Sequence, residues 1–232
     1  MIIDSKEKMK EAVNHYGILP FFKNTIQGFS IEEMCTPEVY FSSQVGVWEW
    51  KGPVIQETDC AYGKFFGKKA AFVSKEWLCD FANWKRDGYD FDAAMNDGIG
   101  TYEEEYLYSL IDSRHSILSK DLKIQGGYVK PHTKQKDDWQ PRKGFDRDIT
   151  KLQMRGYITT VDFEYEVDKK GNAYGWGIAK YATMENYFGD AFSKHVYVIA
   201  PIESYERIKN HLLHVLPNCE ENEIDYFLNK KN

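Results

Sequence analysis

Three basic residues recur at intervals of four in one short segment of the chain. They are Arg147, Lys151 and Arg155, and this spacing places all three on one side of an α-helix. Guanidinium and ammonium groups in such a row bind phosphate oxygens and reach base edges. Two further basic pairs lie nearby in the sequence, Arg142-Lys143 and Lys169-Lys170. These seven residues are therefore the predicted contacts to double-stranded DNA.

The charge distribution supports a local basic surface. The 232 residues have a formal net charge of −6, which argues against indiscriminate binding of nucleic acid. Residues 113–155, however, contain eleven Lys and Arg against five Asp, so this segment carries +6 and the rest of the chain −12. A basic element on an acidic body is typical of phosphate contact. The alternative is an ordinary solvated face, since helix surfaces are usually charged.

Other residues with reactive or metal-binding side chains lack the spacing of a known site. The four cysteines lie far apart without a Cys-x-x-Cys pair, so neither a zinc site nor a dense disulfide framework is predicted. His211 and His214 have ligand spacing on a helix, but no third ligand is evident. We therefore expect no cofactor, no metal and no catalytic residue.

Composition indicates a folded protein. Hydrophobic residues make up 42% of the chain, enough for real cores. No run approaches the ~18 apolar residues of a membrane span, and the amino terminus lacks the apolar stretch of a secretion signal. We expect a soluble, cytoplasmic protein with reduced thiols and no membrane partner; a protein partner is left open.

The elements that must position the basic row follow one another over residues 101–183. Thr101 and Glu104 have the spacing of a capping box at the start of a first helix. A short second helix begins near Ser119 and precedes the long polar segment 128–143. A third helix is expected to start at an Asp146 or Asp148 cap and to end before a left-handed Gly156, and residues 161–178 alternate as a hairpin with Lys169-Lys170 at its turn. This order is typical of a winged helix-turn-helix unit.

The rest of the chain predicts a similar unit before this one and helices after it. We expect a helix over residues 5–16, a capping box at Ser30, short strands at 45–50, 54–60 and 65–73 with a turn at 51–53, and a helix that Ser74 caps. Residues 89–100 are the expected linker. A short helix should begin at Thr183, followed by a strand at 196–200 and helices at 204–216 and 219–228. The predicted fold class is thus α+β, with tandem winged helix-turn-helix units, small antiparallel sheets and a C-terminal helical pair. The predicted domains are residues 1–98, 99–190 and 191–232.

Four sequence segments resemble the AlkZ-related proteins, small relatives of the AlkZ and YcaQ family of DNA glycosylases. The segments are Tyr16-Gly17-Ile18-Leu19-Pro20-Phe21-Phe22, Trp48-Glu49-Trp50-Lys51-Gly52-Pro53, Tyr62-Gly63-Lys64-Phe65-Phe66-Gly67-Lys68-Lys69-Ala70, and the block from Leu152-Gln153-Met154-Arg155-Gly156-Tyr157-Ile158 to Tyr174-Gly175-Trp176-Gly177. The resemblance covers most of residues 16–190. It implies a scaffold of tandem winged helices and a relation to DNA repair.

The chain departs from those glycosylases at the position of their chemistry. The family motif is Gln-x-Gln or Gln-x-Asp soon after the first helix, whereas this chain has Ile18, Leu19 and Pro20 there. Apolar side chains neither activate water nor offset an oxocarbenium charge. The sequence therefore predicts a DNA-binding protein without that catalytic motif. The alternatives are a DNA glycosylase that removes alkylated bases with an unrecognised carboxylate, and a protein-interaction scaffold.

Overall fold

The protein has a mixed α+β fold with two small three-stranded antiparallel sheets. The structure is a computed structural model and describes residues 1–42, 45–130, 140–171 and 173–229, with only the backbone of 173 and 174. What we call the first unit comprises α1 (Lys6–Tyr16), β1 (Ile18–Pro20), α2 (Ile31–Met34), α3 (Pro37–Tyr40), α4 (Val47–Thr58), β2 (Ala61–Phe66) and β3 (Lys69–Val73).

The remaining elements form a connection, a second unit and a C-terminal set of helices. The connection comprises a 3₁₀ turn (Lys75–Trp77), α5 (Leu78–Arg86) and α6 (Phe91–Asn96). The second unit comprises α7 (Tyr102–Asp112), β4 (Ile117–Leu118), α8 (Ser119–Gln125), α9 (Phe145–Met154), β5 (Ile158–Val167) and β6 (Ala173–Thr183). The C-terminal helices are α10 (Met184–His195), α11 (Pro201–Val215) and α12 (Glu221–Asn229).

Several predicted helix ends are confirmed because local hydrogen bonds determine them. Ser5 caps α1 by accepting from the Lys8 N–H, and Gly17 ends the helix at a φ of 68°. Thr101 and Glu104 form the predicted capping box of α7. Gly156 has the predicted left-handed conformation after α9, with a φ of 70°.

The predicted strands at residues 45–50 and 54–60 are wrong, because this segment forms helix α4. The Glu49 side chain accepts from the Gly46 N–H at 2.9 Å, which caps the helix start. Val47, Val54 and Ile55 are buried at helical spacing. The expected turn at 51–53 lies inside the helix, where Pro53 removes one backbone donor without ending it.

The strand predicted at residues 65–73 is divided by a turn. Gly67 and Lys68 both have positive φ, 54° and 59°, as a two-residue hairpin turn requires, and they separate β2 from β3. The expected linker at 89–100 contains α6, which Asp90 caps and in which the ring of Phe91 stacks on Tyr108 at 3.6 Å. The turn at Gly67-Lys68 and the Asp90 cap are each set by a few neighbouring residues.

Three further predictions need correction. Helix α9 begins after Gly144, whose φ is 92°, and neither Asp146 nor Asp148 caps it. Ser74 precedes the 3₁₀ turn without a side-chain cap, and Ser119 lies inside α8. Residues 196–200 are not a strand, since the Val196 N–H donates to Phe192 O and continues the turn of α10. The predicted C-terminal helical pair is confirmed as α11 and α12.

The two units have the same strand arrangement. The sheet orders are β1-β3-β2 and β4-β6-β5, so in each unit the first strand pairs with the third and the third with the second. One apolar core joins residues 3–82 with residues 184–228, and another is built from residues 91–158. The C-terminal helices therefore complete the core of the first unit.

The two units pack against each other in a reciprocal way. Helix α9 of the second unit lies on β2 of the first, while helix α4 of the first lies on β5 of the second. The Thr159 hydroxyl accepts from the Tyr62 N–H at 3.0 Å and donates to the Tyr62 carbonyl at 3.2 Å, and Gln153 Oε1 accepts from the Lys64 N–H at 2.9 Å. Side chains of the second unit thus satisfy the free edge of β2.

Candidate nucleic-acid interface

The predicted basic row lies on the outer strip of α9, but most of that helix is buried. Six of its ten residues, among them Ile149, Leu152 and Gln153, are buried between α7 and β2. The exposed strip contains Arg147, with a side chain 62% exposed, and Lys151, at 43%. The exposed part of α9 is therefore a narrow basic strip.

Arg147 is held by a buried neighbouring carboxylate. Its Nε donates to Asp148 Oδ1 at 2.7 Å and its Nη2 to Oδ2 at 3.0 Å, while the Asp148 side chain is fully buried. Gly144 permits this arrangement, because a Cβ at that position would lie 2.7 Å from the Arg147 guanidinium. The ion pair fixes the guanidinium at the amino end of α9 and offsets part of its charge.

Lys151 and Arg155 share another buried carboxylate, Glu104 of α7. Glu104 accepts from the Thr101 N–H at 2.9 Å as part of the capping box, and its side chain is fully buried. Lys151 Nζ lies 3.9 Å and Arg155 Nη1 3.5 Å from its oxygens. Arg155 also donates to the Ile99 carbonyl at 2.7 Å, so this residue anchors the start of α7 to the end of α9.

The predicted pair Arg142-Lys143 lies at the same end of the second unit as α9. The Arg142 N–H donates to the Gly127 carbonyl, and its guanidinium lies 4.3 Å from the ring centre of Tyr106 on α7. Lys143 is exposed. Arg142 therefore contacts α7 through Tyr106, whereas Lys151 and Arg155 contact it through Glu104. Lys134 and Lys136 of the basic segment lie outside the described residues.

The other predicted pair, Lys169 and Lys170, lies at the tip of the hairpin formed by β5 and β6. Both residues are exposed, and the Lys170 N–H donates to Asp168 Oδ1 at 2.7 Å. Ten residues of β5 span roughly 30 Å at about 3.3 Å per residue. The tip is therefore separated from the end of α9 by about that length, and the seven residues form two groups.

The alternation of the return strand predicts Tyr174, Trp176 and Ile178 on one apolar face of the hairpin, and this face is not buried at the tip. Trp176 is 82% exposed, and its ring meets Trp48 of α4 at 6.1 Å with an interplanar angle of 79°. Trp48 and Trp50 lie on a helix and not on the expected strand. The predicted partner Tyr174 has a side chain outside the described residues. The aromatic surface between α4 and the hairpin was not predicted, because Trp48 and Trp176 are 128 residues apart and the first was expected on a strand.

A buried arginine behind α9 was also not predicted from the sequence. Arg86 at the end of α5 donates to the Gly156 carbonyl at 2.8 and 3.1 Å, to Glu185 at 2.6 Å and to the Tyr197 hydroxyl at 2.7 Å. Its side chain has no exposed surface. Arg86 therefore connects the first core, α9 and α10. No spacing in the sequence marked it.

Comparison with known proteins yields one match. A protein-family model described as AlkZ related matches residues 3–229. No curated protein matches the chain, and no solved structure does. Within the described residues there is no cluster of three or more potential metal ligands. None of the described helices is long and apolar enough to cross a bilayer.

Proposed function

The chain belongs to the AlkZ-related family, and from this membership we propose that it binds duplex DNA as a protein of tandem winged helix-turn-helix units. The predicted domain boundaries, residues 1–98, 99–190 and 191–232, are part of this proposal. Phosphate contacts come from the α9 strip, the preceding loop and the hairpin tip. The DNA-binding residues are Arg142, Lys143, Arg147, Lys151, Arg155, Lys169 and Lys170.

The observation that carries the proposal is the repeated element order. Each unit begins with a helix and a short strand, continues with one or two short helices and a longer one, and ends with a two-stranded hairpin. Both sheets also have the same strand order. This order is typical of winged-helix units, in which the last helix and the hairpin meet DNA. Helix α9 and the β5–β6 hairpin occupy those two positions in the second unit.

The exposed basic residues fit phosphate contact better than base reading. Helix α9 is covered on one side by β2, so it cannot enter a major groove to its full depth. Arg147 and Lys151 still present their charged groups at the surface. The roughly 30 Å length of β5, which separates the carboxyl end of α9 from the hairpin tip, approaches one turn of duplex, about 34 Å. The two basic groups therefore suit backbone contacts about one turn apart.

The residues at the position of the glycosylase motif favour DNA binding over hydrolysis by that motif. Ile18 and Leu19 form strand β1, are 1% and 0% exposed, and pair with β3 through Val73 and Phe72. Core side chains in a sheet present no polar group to a sugar or a water molecule. The scaffold is thus retained with an apolar strand in that position.

A binding titration with a labelled 30-base-pair duplex tests the proposal. We expect the charge-removing variants K143A/K151A and K169A/K170A each to weaken binding about tenfold at low salt. Loss of each phosphate contact should lower the slope of log K against log salt by about 0.9. The matched control is K194A, which removes an exposed lysine from α10, 73% exposed. The absence of any complex at micromolar protein and low salt would contradict the proposal and favour a scaffold role.

A further inference from the structure

An open cleft lies between helix α4 and the β5–β6 hairpin. It has a volume of about 490 Å³ and aromatic walls that include Tyr40, Trp48, Tyr165 and Trp176, with Lys51 reaching it from α4. The cleft belongs to neither basic group of the proposed DNA interface. Its mouth lies near the hairpin tip, because Tyr165 is four residues before Lys169.

Lys51 is surrounded by aromatic rings. Its Nζ lies 4.4 Å from the ring centre of Phe163 and 5.0 Å from that of Trp48. Among the residues that the structure describes, Nζ has no hydrogen bond and no ion pair. The rings attract an ammonium group, but they also exclude water from it. Desolvation prevails and lowers the pKa of Lys51 to about 8, although Glu49 raises it.

Other charged and titratable groups around the cleft do not hold Lys51. Glu49 accepts from the Gly46 N–H at the start of α4, and Asp162 of β5 accepts from the Phe163 N–H. Tyr165 of β5 and Tyr40 of α3 also line the cleft, and burial is the largest cause of the raised pKa of each. The free amine is therefore available to a ligand in the cleft.

The hairpin backbone on either side of Trp176 leaves its ring accessible to the same ligand. Gly175 has a φ of 76°, which side chains rarely adopt, and a Cβ on Gly177 would make tight contacts of 3.0–3.2 Å with atoms of Phe163 and Tyr165. Between the two glycines, Trp176 points outward and contacts Trp48 at its edge. A large exposed ring of this kind is a stacking platform for an unpaired base.

We propose that Lys51 forms an imine with the aldehyde of an abasic site in bound DNA, while Trp176 stacks on a base next to the gap. The proposal rests on the proposed function of DNA binding. Nζ attacks the C1′ carbonyl carbon of the ring-opened deoxyribose, and a proton moves from nitrogen to oxygen to give a carbinolamine. Loss of one water then gives the imine, so no oxidant or reductant is required.

The setting of Lys51 differs from that of the other ring-bound lysine, Lys85. Lys85 Nζ lies 4.1 Å from the Trp84 ring centre, and its pKa is also lowered by desolvation, to about 7. Its Nζ donates to the Leu228 carbonyl of α12, within the contact between α5 and the C-terminal helices. A lowered pKa alone is therefore no sign of a site; the open cleft distinguishes Lys51.

Reductive trapping tests the proposal directly. The intact protein is incubated with a duplex that contains one abasic site, borohydride is added, and the covalent adduct is quantified per bound complex. At pH 7 a pKa of about 8 leaves about one tenth of Lys51 as free amine, against less than about one in a thousand for an ordinary lysine. We expect a stable adduct that increases between pH 6.5 and 8.5 and that peptide mapping assigns to Lys51.

The variant K51R separates the amine from the charge, since arginine keeps the cation but has no free amine at these pH values. We expect adduct formation to fall about 100-fold in K51R and to stay within twofold of the parent in K194A. An unchanged yield in K51R, or mapping to another lysine, would overturn the proposal. Binding of an intact duplex is measured in parallel. Binding without trapping overturns this inference alone. Absent binding of the intact duplex overturns the proposed function; an adduct at Lys51 would then still support the imine, and no adduct would overturn both.

Discussion

At the residue scale, two fully buried carboxylates organise the basic strip of α9. Asp148 holds Arg147 through two hydrogen bonds, and Glu104 lies beneath Lys151 and Arg155. A phosphate that binds these cations competes with a carboxylate that is already in place. The strip is therefore ordered before binding, at the cost of part of its positive potential.

Replacing Glu104 with Gln should tighten DNA binding. The glutamine oxygen can still accept from the Thr101 N–H, so the cap is kept, but the negative charge beside Lys151 and Arg155 is lost. We expect the dissociation constant to fall about three- to tenfold, which corresponds to about 1 kcal/mol. Fluorescence anisotropy with a labelled duplex measures it.

The control for this variant is E105Q, which removes the same charge from the exposed adjacent residue of α7. Its effect should be smaller than twofold, because exposed charges are screened by solvent and salt. Equal tightening in both variants would show that net charge alone matters and that Glu104 does not restrain the strip.

At the element scale, the free edge of β2 is the feature that joins the two units. Side chains from α9 and β5 satisfy its backbone groups, in place of another strand. An edge strand with unpaired backbone groups would be open to pairing with other chains. Gln153 of α9 reaches β2 through one of these contacts. One side of α9 is therefore covered by β2.

Thr159→Val should destabilise the protein although it preserves shape. Thr159 is fully buried, and valine would leave the Tyr62 N–H and carbonyl without partners. We expect the free energy of unfolding to fall by about 2–3 kcal/mol, measured by urea denaturation. Thr159→Ser keeps the hydroxyl and loses only a methyl group, so it should cost about 1 kcal/mol. A valine variant as stable as the serine variant would refute the role of this bond.

At the scale of the whole molecule, Arg86 connects the two cores. It extends from α5 in the first core to the Gly156 carbonyl that follows α9, and it meets Glu185 of α10. Its guanidinium also lies 4.8 Å from the ring centre of Tyr157, a residue of the second core. Arg86 therefore adds a buried charge and its partners to the contacts between α9 and β2 that hold the two units together.

Arg86→Met should cost about 3–5 kcal/mol of unfolding free energy, because it leaves Glu185 and the Gly156 carbonyl without their partner. Arg86→Lys retains a charge but lacks the forked donors that reach Gly156 twice, so an intermediate loss is expected. Thermal and urea unfolding of both variants measure the two losses of unfolding free energy. If Arg86→Lys matched the parent, the fork geometry would be irrelevant and the inference about this connection would fail.

Much of the fold could be predicted because short-range signals determine it. Capping side chains at Ser5 and Thr101, the left-handed Gly156 and the alternation of the hairpin act within a few residues of one another. Family resemblance was recognised from sequence segments and is shown by the family match. The seven proposed DNA contacts remain a prediction, although the structure shows where each of them lies.

What the sequence by itself determined is local: the helix ends, the hairpin and the positions of the basic residues. Only the tertiary structure decided that β2 covers one side of α9 and that Lys51 faces an aromatic cleft. These outcomes depend on contacts between distant segments, such as Tyr62 with Thr159, which are 97 residues apart. Burial and partner geometry at such separations arise when the units pack together, and no spacing along the chain encodes them.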